Sequence, residues 1–149
     1  MNFRLPNLPF ADPLFTIPPF LVGDTMNRRS TSDRGKEGEA IAVAFLRSKG
    51  LTILETRYRY MRGDIDIVAM DGEVLVFCEV KLRNTQRFGA PEYGVTRGKQ
   101  AQVRRIAAAY LYERELRDQI CRFDVVAIER KEGRTEVRHL VNSFPMVYG

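Results

Sequence analysis

The chain has one histidine, no tryptophan and two cysteines in 149 residues. A single imidazole, His139, in an alternating stretch near the C-terminus leaves little for histidine-based acid–base chemistry and reads as structural. Cys78 and Cys121 each sit in an apolar run, outside any CxxC or histidine-rich context. That argues against a zinc site and predicts two reduced core thiols in a cytoplasmic protein. Long hydrophobic runs are missing too: no stretch approaches the roughly 18 apolar residues of a membrane helix. The first 25 residues are apolar, but Pro6, Pro9, Pro13, Pro18 and Pro19 break any signal-peptide core, and only Arg4 precedes it as a cation.

What is present is an ordinary globular mixture, 44% hydrophobic and 29% charged, in a length suited to one domain. Lysine and arginine outnumber the acids 24 to 19, a net charge of +5 that suits an acidic partner such as nucleic acid without demanding one. Residues 1–33 read as a poorly ordered, proline-rich extension and 34–149 as the folded domain. Met26 would open a more ordinary N-terminus, so residues 1–25 are open to question as part of the native protein.

From Ser32 or Asp33, either of which can cap a helix, Ala40, Ile41, Ala44 and Phe45 follow helical spacing until Gly50. Residues 51–60 read as a strand, 64–70 as a second, and 73–81 as a third rich in Val, Leu and Phe. A helix from about Thr96 carries Val103, Ile106, Ala107, Tyr110 and Leu111 on one stripe. Strands over 123–129 and 135–141 surround a turn at Lys131–Gly133. The predicted order is α-β-β-β-α-β-β, an α+β (mixed-sheet α/β) domain without internal repeats.

Asp71-Gly72 carries a strong hairpin signal, because glycine accepts the positive φ of a type I′ turn. A two-residue turn there pairs Met70 with Glu73 and sets Asp66 opposite Phe77, with Glu79 its diagonal neighbour on the same face. Diagonal neighbours lie roughly 7–8 Å apart, close enough for two carboxylates to share an ion. Strand alternation puts Lys81 on that face as well. Two uncompensated carboxylates repel, and a bound Mg²⁺ or Mn²⁺ removes the repulsion through oxygen ligands. Such an ion activates water and neutralises charge on a phosphodiester, while a lysine orients the water or stabilises the phosphorane. Glu-x-Lys alone is also what the solvated end of an ordinary hairpin looks like, so three readings stand. They are a metal-dependent nuclease, a non-catalytic nucleic-acid-binding module, and a scaffold whose hairpin charges are structural.

Further motifs carry a resemblance: Gly35-Lys36-Glu37-Gly38-Glu39-Ala40, Gly63-Asp64-Ile65-Asp66-Ile67-Val68, Val76 through Arg83, Phe88-Gly89, Lys99, and Arg122-Phe123-Asp124-Val125-Val126. From Gly35 to about Phe144 the chain resembles the YraN-type family of uncharacterised bacterial proteins, itself similar to Holliday-junction resolvases of restriction-endonuclease-like fold. The resemblance implies an Mg²⁺- or Mn²⁺-dependent endonuclease with Asp66, Glu79 and Lys81 as its catalytic motif. It adds Glu39, on the first helix, as a fourth member, so that Asp66, Glu79 and Glu39 would ligate the metal. The sequence departs from the family at Asp64, where Glu is usual, and at Arg57, where Asn is usual. Fold alone does not guarantee cleavage.

Candidates for phosphate contact are Arg57, Arg59, Arg62, Arg83, Arg87, Arg97, Lys99, Arg104 and Arg105. Arg97 and Lys99 are favoured because a helix N-terminus also attracts phosphate; Arg83 and Arg59 complete the expected DNA-binding set. Tyr58 and Tyr60 either stack on unpaired bases or lie half-buried in the sheet. Cleavage of a four-way junction would suit a homodimer presenting two sites, and no sequence feature marks an interface.

Overall fold

A computed structural model describes residues 31–84 and 95–146. Its elements are α1 (Thr31–Ser48), β1 (Thr52–Tyr60), β2 (Gly63–Asp71), β3 (Val74–Asn84), α2 (Arg97–Glu113), β4 (Cys121–Lys131) and β5 (Arg134–Phe144). The predicted α-β-β-β-α-β-β order is therefore correct. The first helix starts earlier than expected: Ser32 and Asp33 fall inside α1 rather than before it. Gly50 ends it as predicted, with φ +88. That left-handed turn lets the Leu51 amide reach back to the Leu46 carbonyl at 3.1 Å, satisfying a helix-end acceptor.

The five strands form one sheet in sequence order. β3 and β4 run parallel and every other neighbouring pair is antiparallel. Parallel neighbours need a long crossover, and α2 lies within it. Each helix covers one face. Ile41, Ala42, Phe45 and Leu46 of α1 pack on Ile67, Ala69, Val76, Cys78, Val126 and Ile128. Val103, Ile106, Ala107 and Tyr110 of α2 pack on Val68, Leu75, Phe77, Phe123 and Phe144. With both faces covered, the central strands must be apolar on both sides, which is why β3 and β4 read as nearly continuous hydrophobic runs. Among the described residues, no helix is long and apolar enough to cross a membrane.

The β2–β3 hairpin differs from its expected register. Asp71 pairs with Val74 and Met70 with Leu75, so the turn residues are Gly72 and Glu73, not Asp71 and Gly72. Gly72 alone takes positive φ (+58), which fits glycine in the first turn position of a II′ hairpin rather than a I′ turn. Asp71 stays in the strand because its carboxylate meets the Arg122 guanidinium at 2.8 Å. The correction slides β3 by two residues, and a two-residue slip leaves every side chain on its original face. Continued beyond Ile67–Cys78, this register sets Asp66 opposite Glu79 instead of Phe77.

Arg122 also anchors a fully buried acid. Asp124 accepts hydrogen bonds from Arg122 Nε (3.0 Å) and the Asn142 amide (2.9 Å), and lies 2.7 Å from His139 Nε2. Burial pushes this carboxyl up, but the contacts with His139 and Arg122 outweigh it and hold it below the usual range. His139 is thus structural, as expected. Cys78 and Cys121 are both unbridged. Burial raises both thiols, Cys121 to about 11, so neither is a ready nucleophile.

Candidate acidic centre

Pairing between β2 and β3 runs from Asp71–Val74 to Ile67–Cys78. One residue further, the Asp66 side chain takes over: its Oδ2 accepts the Val80 amide at 2.8 Å. That bond fixes the carboxylate against β3 beside Glu79. Glu79 is 8% exposed. Its Oε2 lies 3.7 Å from Lys99 Nζ, and its Oε1 is buried with no hydrogen-bond partner among the described residues. A buried carboxylate oxygen without a donor is unfavourable and uncommon in folded proteins.

The electrostatics follow from this crowding. Burial pushes the Glu79 carboxyl up to about 8, Asp66 and Asp64 push it the same way, and Lys99 and Lys81 oppose them. Asp66 is also raised, by burial first, then by Asp64 and Glu39, against the pull of the Val80 amide and Lys99. Half-buried Lys81 is lowered by burial and by Arg83 and Lys99, with Glu79 opposing. Asp66, Glu79, Lys81, Asp64 and Lys99 thus interact as one cluster. Asp64 had no place in the expected catalytic set, although its spacing from Asp66 along a strand was the signal that could have put it there.

Glu39 reaches the neighbourhood because α1 crosses β3 closely. A Cβ added at Gly38 would stand 3.3 Å from Leu82 Cβ, so glycine is what lets the helix settle there. Glu39 contributes to the charge felt by Asp66. Its Oε2, however, accepts from Arg57 Nε at 2.7 Å. Among the described residues no three His, Cys, Asp or Glu side chains are gathered closely enough to hold a metal together. Arg57 is thus what engages Glu39.

Residues 38–128, which include every member of this cluster, match the uncharacterised protein family UPF0102. The chain belongs to that family. A UPF0102 protein of Moorella thermoacetica is 46% identical over 122 residues, covering 80% of this chain and 99% of the relative. One from Geotalea daltonii is 42% identical over 115 residues, covering 76% and 91%. Another, UPF0102 protein CT2262 of Chlorobaculum tepidum, is 42% identical, covering 74% and 90%. The YraN-type resemblance read from the motifs is therefore borne out at the level of family.

The expected cations divide into distinct groups. Lys99 serves Glu79, and Arg83 lies close enough to Lys81 to depress its proton affinity. Arg97, the first residue of α2, and Arg59 on β1 are exposed. Arg104 binds the Pro145 carbonyl at 2.9 Å and covers the Phe144 ring, a packing role. Arg62 and Arg105 line a cavity beside α2. Arg87 lies outside the described residues. Tyr58 is core rather than a stacking platform: it packs edge-on against Tyr110 at 5.0 Å and its hydroxyl donates to Glu113 at 2.7 Å. Tyr60 is half-buried and lines the same cavity as Arg62.

Proposed function

We propose that this chain is a divalent-metal-dependent nuclease hydrolysing phosphodiester bonds in DNA, with branched or otherwise structured DNA as its substrate. The observation that carries the reading is the Asp66–Glu79 pair: two carboxylates held together, one with a buried oxygen that no described residue satisfies. Keeping such a pair without an ion costs ionisation, as the raised Glu79 carboxyl records. The donor set suits Mg²⁺ or Mn²⁺, hard cations that use one or two protein carboxylates and fill remaining positions with water and substrate phosphate. Glu39 becomes a third ligand only where Arg57 lets it go.

The ion, when bound, supplies charge neutralisation at the phosphodiester and lowers the proton affinity of the attacking water. The chain's own residues do the rest. Asp66 and Glu79 would hold the ion, and so set where along the sheet it could meet the phosphodiester. Lys81 donates to the phosphate oxygens where negative charge grows. Lys99, already at Glu79, holds a positive charge between the carboxylates and an incoming phosphate. Arg83, Arg97 and Arg59 meet flanking phosphates, contacts that fix register without reading sequence. A homodimer would present two such centres to a four-way junction.

The test is incubation of labelled linear and four-way-junction DNA with Mg²⁺ or Mn²⁺. Wild-type protein cuts, and Asp66→Ala binds without cutting. Cleavage at the same rate by Asp66→Ala or Glu79→Ala preparations would defeat the assignment. Binding by wild type without any cutting would leave a nucleic-acid-binding module instead.

A further inference from the structure

Next to the acidic centre lies a cavity of about 350 Å³ lined by Tyr60, Met61, Arg62, Gly63, Gln102, Arg105 and Ile106. It is formed where the β1–β2 turn meets α2. The contact is close: a Cβ at Gly63 would lie 2.6 Å from Gln102 Nε2 and 2.7 Å from Ile106 Cδ1. At its rim Met61 is 83% exposed, the most exposed large hydrophobic side chain among the described residues. Its φ is +54, a left-handed conformation that a non-glycine residue adopts rarely and that Asn accepts more readily than Met. An apolar side chain shown to solvent on a strained turn is unfavourable twice over, and such strain tends to sit at functional positions.

We propose that this cavity receives an unstacked nucleobase of the DNA strand held at the acidic centre, with Met61 as the wedge that takes the base's place in the stack. This rests on the nuclease reading for the identity of the strand and adds a base-receiving subsite to it. Three features carry it. The lining is mixed in the way a base requires, with an aromatic edge from Tyr60, an apolar floor from Ile106, and the amide of Gln102 for a base edge. Two cations, Arg62 and Arg105, are exposed at the same place. Arg57, Arg114, Arg122 and Arg130, by contrast, are each committed to a carboxylate. Finally, the cavity borders the centre along two elements: Gln102 lies one helical turn beyond Lys99 on α2, and Gly63 directly precedes Asp64 on β2. Apolar wedges between base steps are an established way for proteins to kink a duplex, and they act most easily where stacking is already interrupted. The cavity therefore selects for branched or unpaired DNA.

The test uses the Asp66→Asn protein, so that DNA is bound but not cut, with 2-aminopurine placed at and beside a four-way branch point. Binding should raise the 2-aminopurine fluorescence at one position as the base leaves the stack. Adding Met61→Asn should abolish that rise and lower the preference for junction over linear duplex about tenfold, as loss of a stacking contact would. Its melting temperature should stay equal or rise, because Asn relieves the turn. The Arg62→Ala/Arg105→Ala pair should weaken binding to both DNAs while the fluorescence rise persists. Unchanged fluorescence and preference in Met61→Asn would overturn the subsite and leave the nuclease reading standing. A fluorescence rise that depends on Met61, in a protein whose wild type never cuts, would support the subsite and defeat the nuclease reading. Failure to bind DNA even at low salt would overturn the subsite.

Discussion

Replacing Glu79 by Gln should stabilise the metal-free protein, and increasingly so as pH rises. In the folded chain burial and Asp66 lift this carboxyl from 4.5 to about 8. For an acid raised on folding the sign is fixed. Below pH 4.5 both states hold the proton and nothing is lost; between 4.5 and about 8 the unfolded chain ionises first, so stability falls as pH rises; above that the loss is complete. At about 1.4 kcal/mol for each tenfold change in proton affinity, the full loss is about 5 kcal/mol. Glutamine removes it, and because the value of about 8 already includes the pull of Lys99, the expected gain near pH 8 is about 4 kcal/mol. For a domain of this size that is a rise of about 8–16 °C in melting temperature. Melting wild type and Glu79→Gln from roughly pH 4.5 to 9 without metal reads the difference directly. The gap should be near zero at the acid end and widen upward, and saturating Mn²⁺ should stabilise wild type alone. A gap constant across the range, or a variant less stable at high pH, would refute the picture of a strained carboxylate pair.

Lys99→Met removes the cation that holds Glu79 and Asp66 down, so both should take up protons more readily. The pH midpoint for Mn²⁺ binding should move upward, and an unmoved midpoint would show that Lys99 serves phosphate only. Arg57→Asn frees Glu39 and eases a backbone φ of +53. Mn²⁺ affinity measured by calorimetry should then rise severalfold, whereas unchanged affinity would keep Glu39 out of the metal's coordination. Asp124→Asn breaks a buried charge network and should cost about 3–5 kcal/mol in urea unfolding at neutral pH. Because the Asp124 carboxyl is depressed on folding, its contribution is present above the ordinary carboxylate range and lost as pH falls through its folded value. The gap between wild type and variant should therefore close in acid, and a gap that persists there would place the damage in packing instead.

Element order was legible because each strand alternates or runs apolar between turn residues and each helix carries one stripe. The hairpin register was not. Choosing between Asp71-Gly72 and Gly72-Glu73 as the turn depends on Arg122, a β4 residue that ties Asp71 into β2, and local turn chemistry cannot see that far. The same holds for Lys99, assigned to phosphate by its place near a helix start but engaged with Glu79 through the fold. Tyr58 stayed open between stacking and burial because alternation with Arg57 and Arg59 sets it on the opposite face without showing that α2, through Tyr110, covers that face. Asp124 had a signal that could have been used. An acid inside Phe123-Asp124-Val125-Val126 must be buried, and a buried acid needs partners.

The central claim, that Asp66 and Glu79 form a metal-dependent cleavage centre, is tested most directly by following cleavage of a branched DNA as Mn²⁺ is titrated, with bound Mn²⁺ read by paramagnetic resonance in the same samples. In wild type the cleavage rate should rise in step with occupancy, and Glu79→Gln should lose both together. Cleavage that proceeds in chelator, or that survives undiminished in Glu79→Gln, would contradict it.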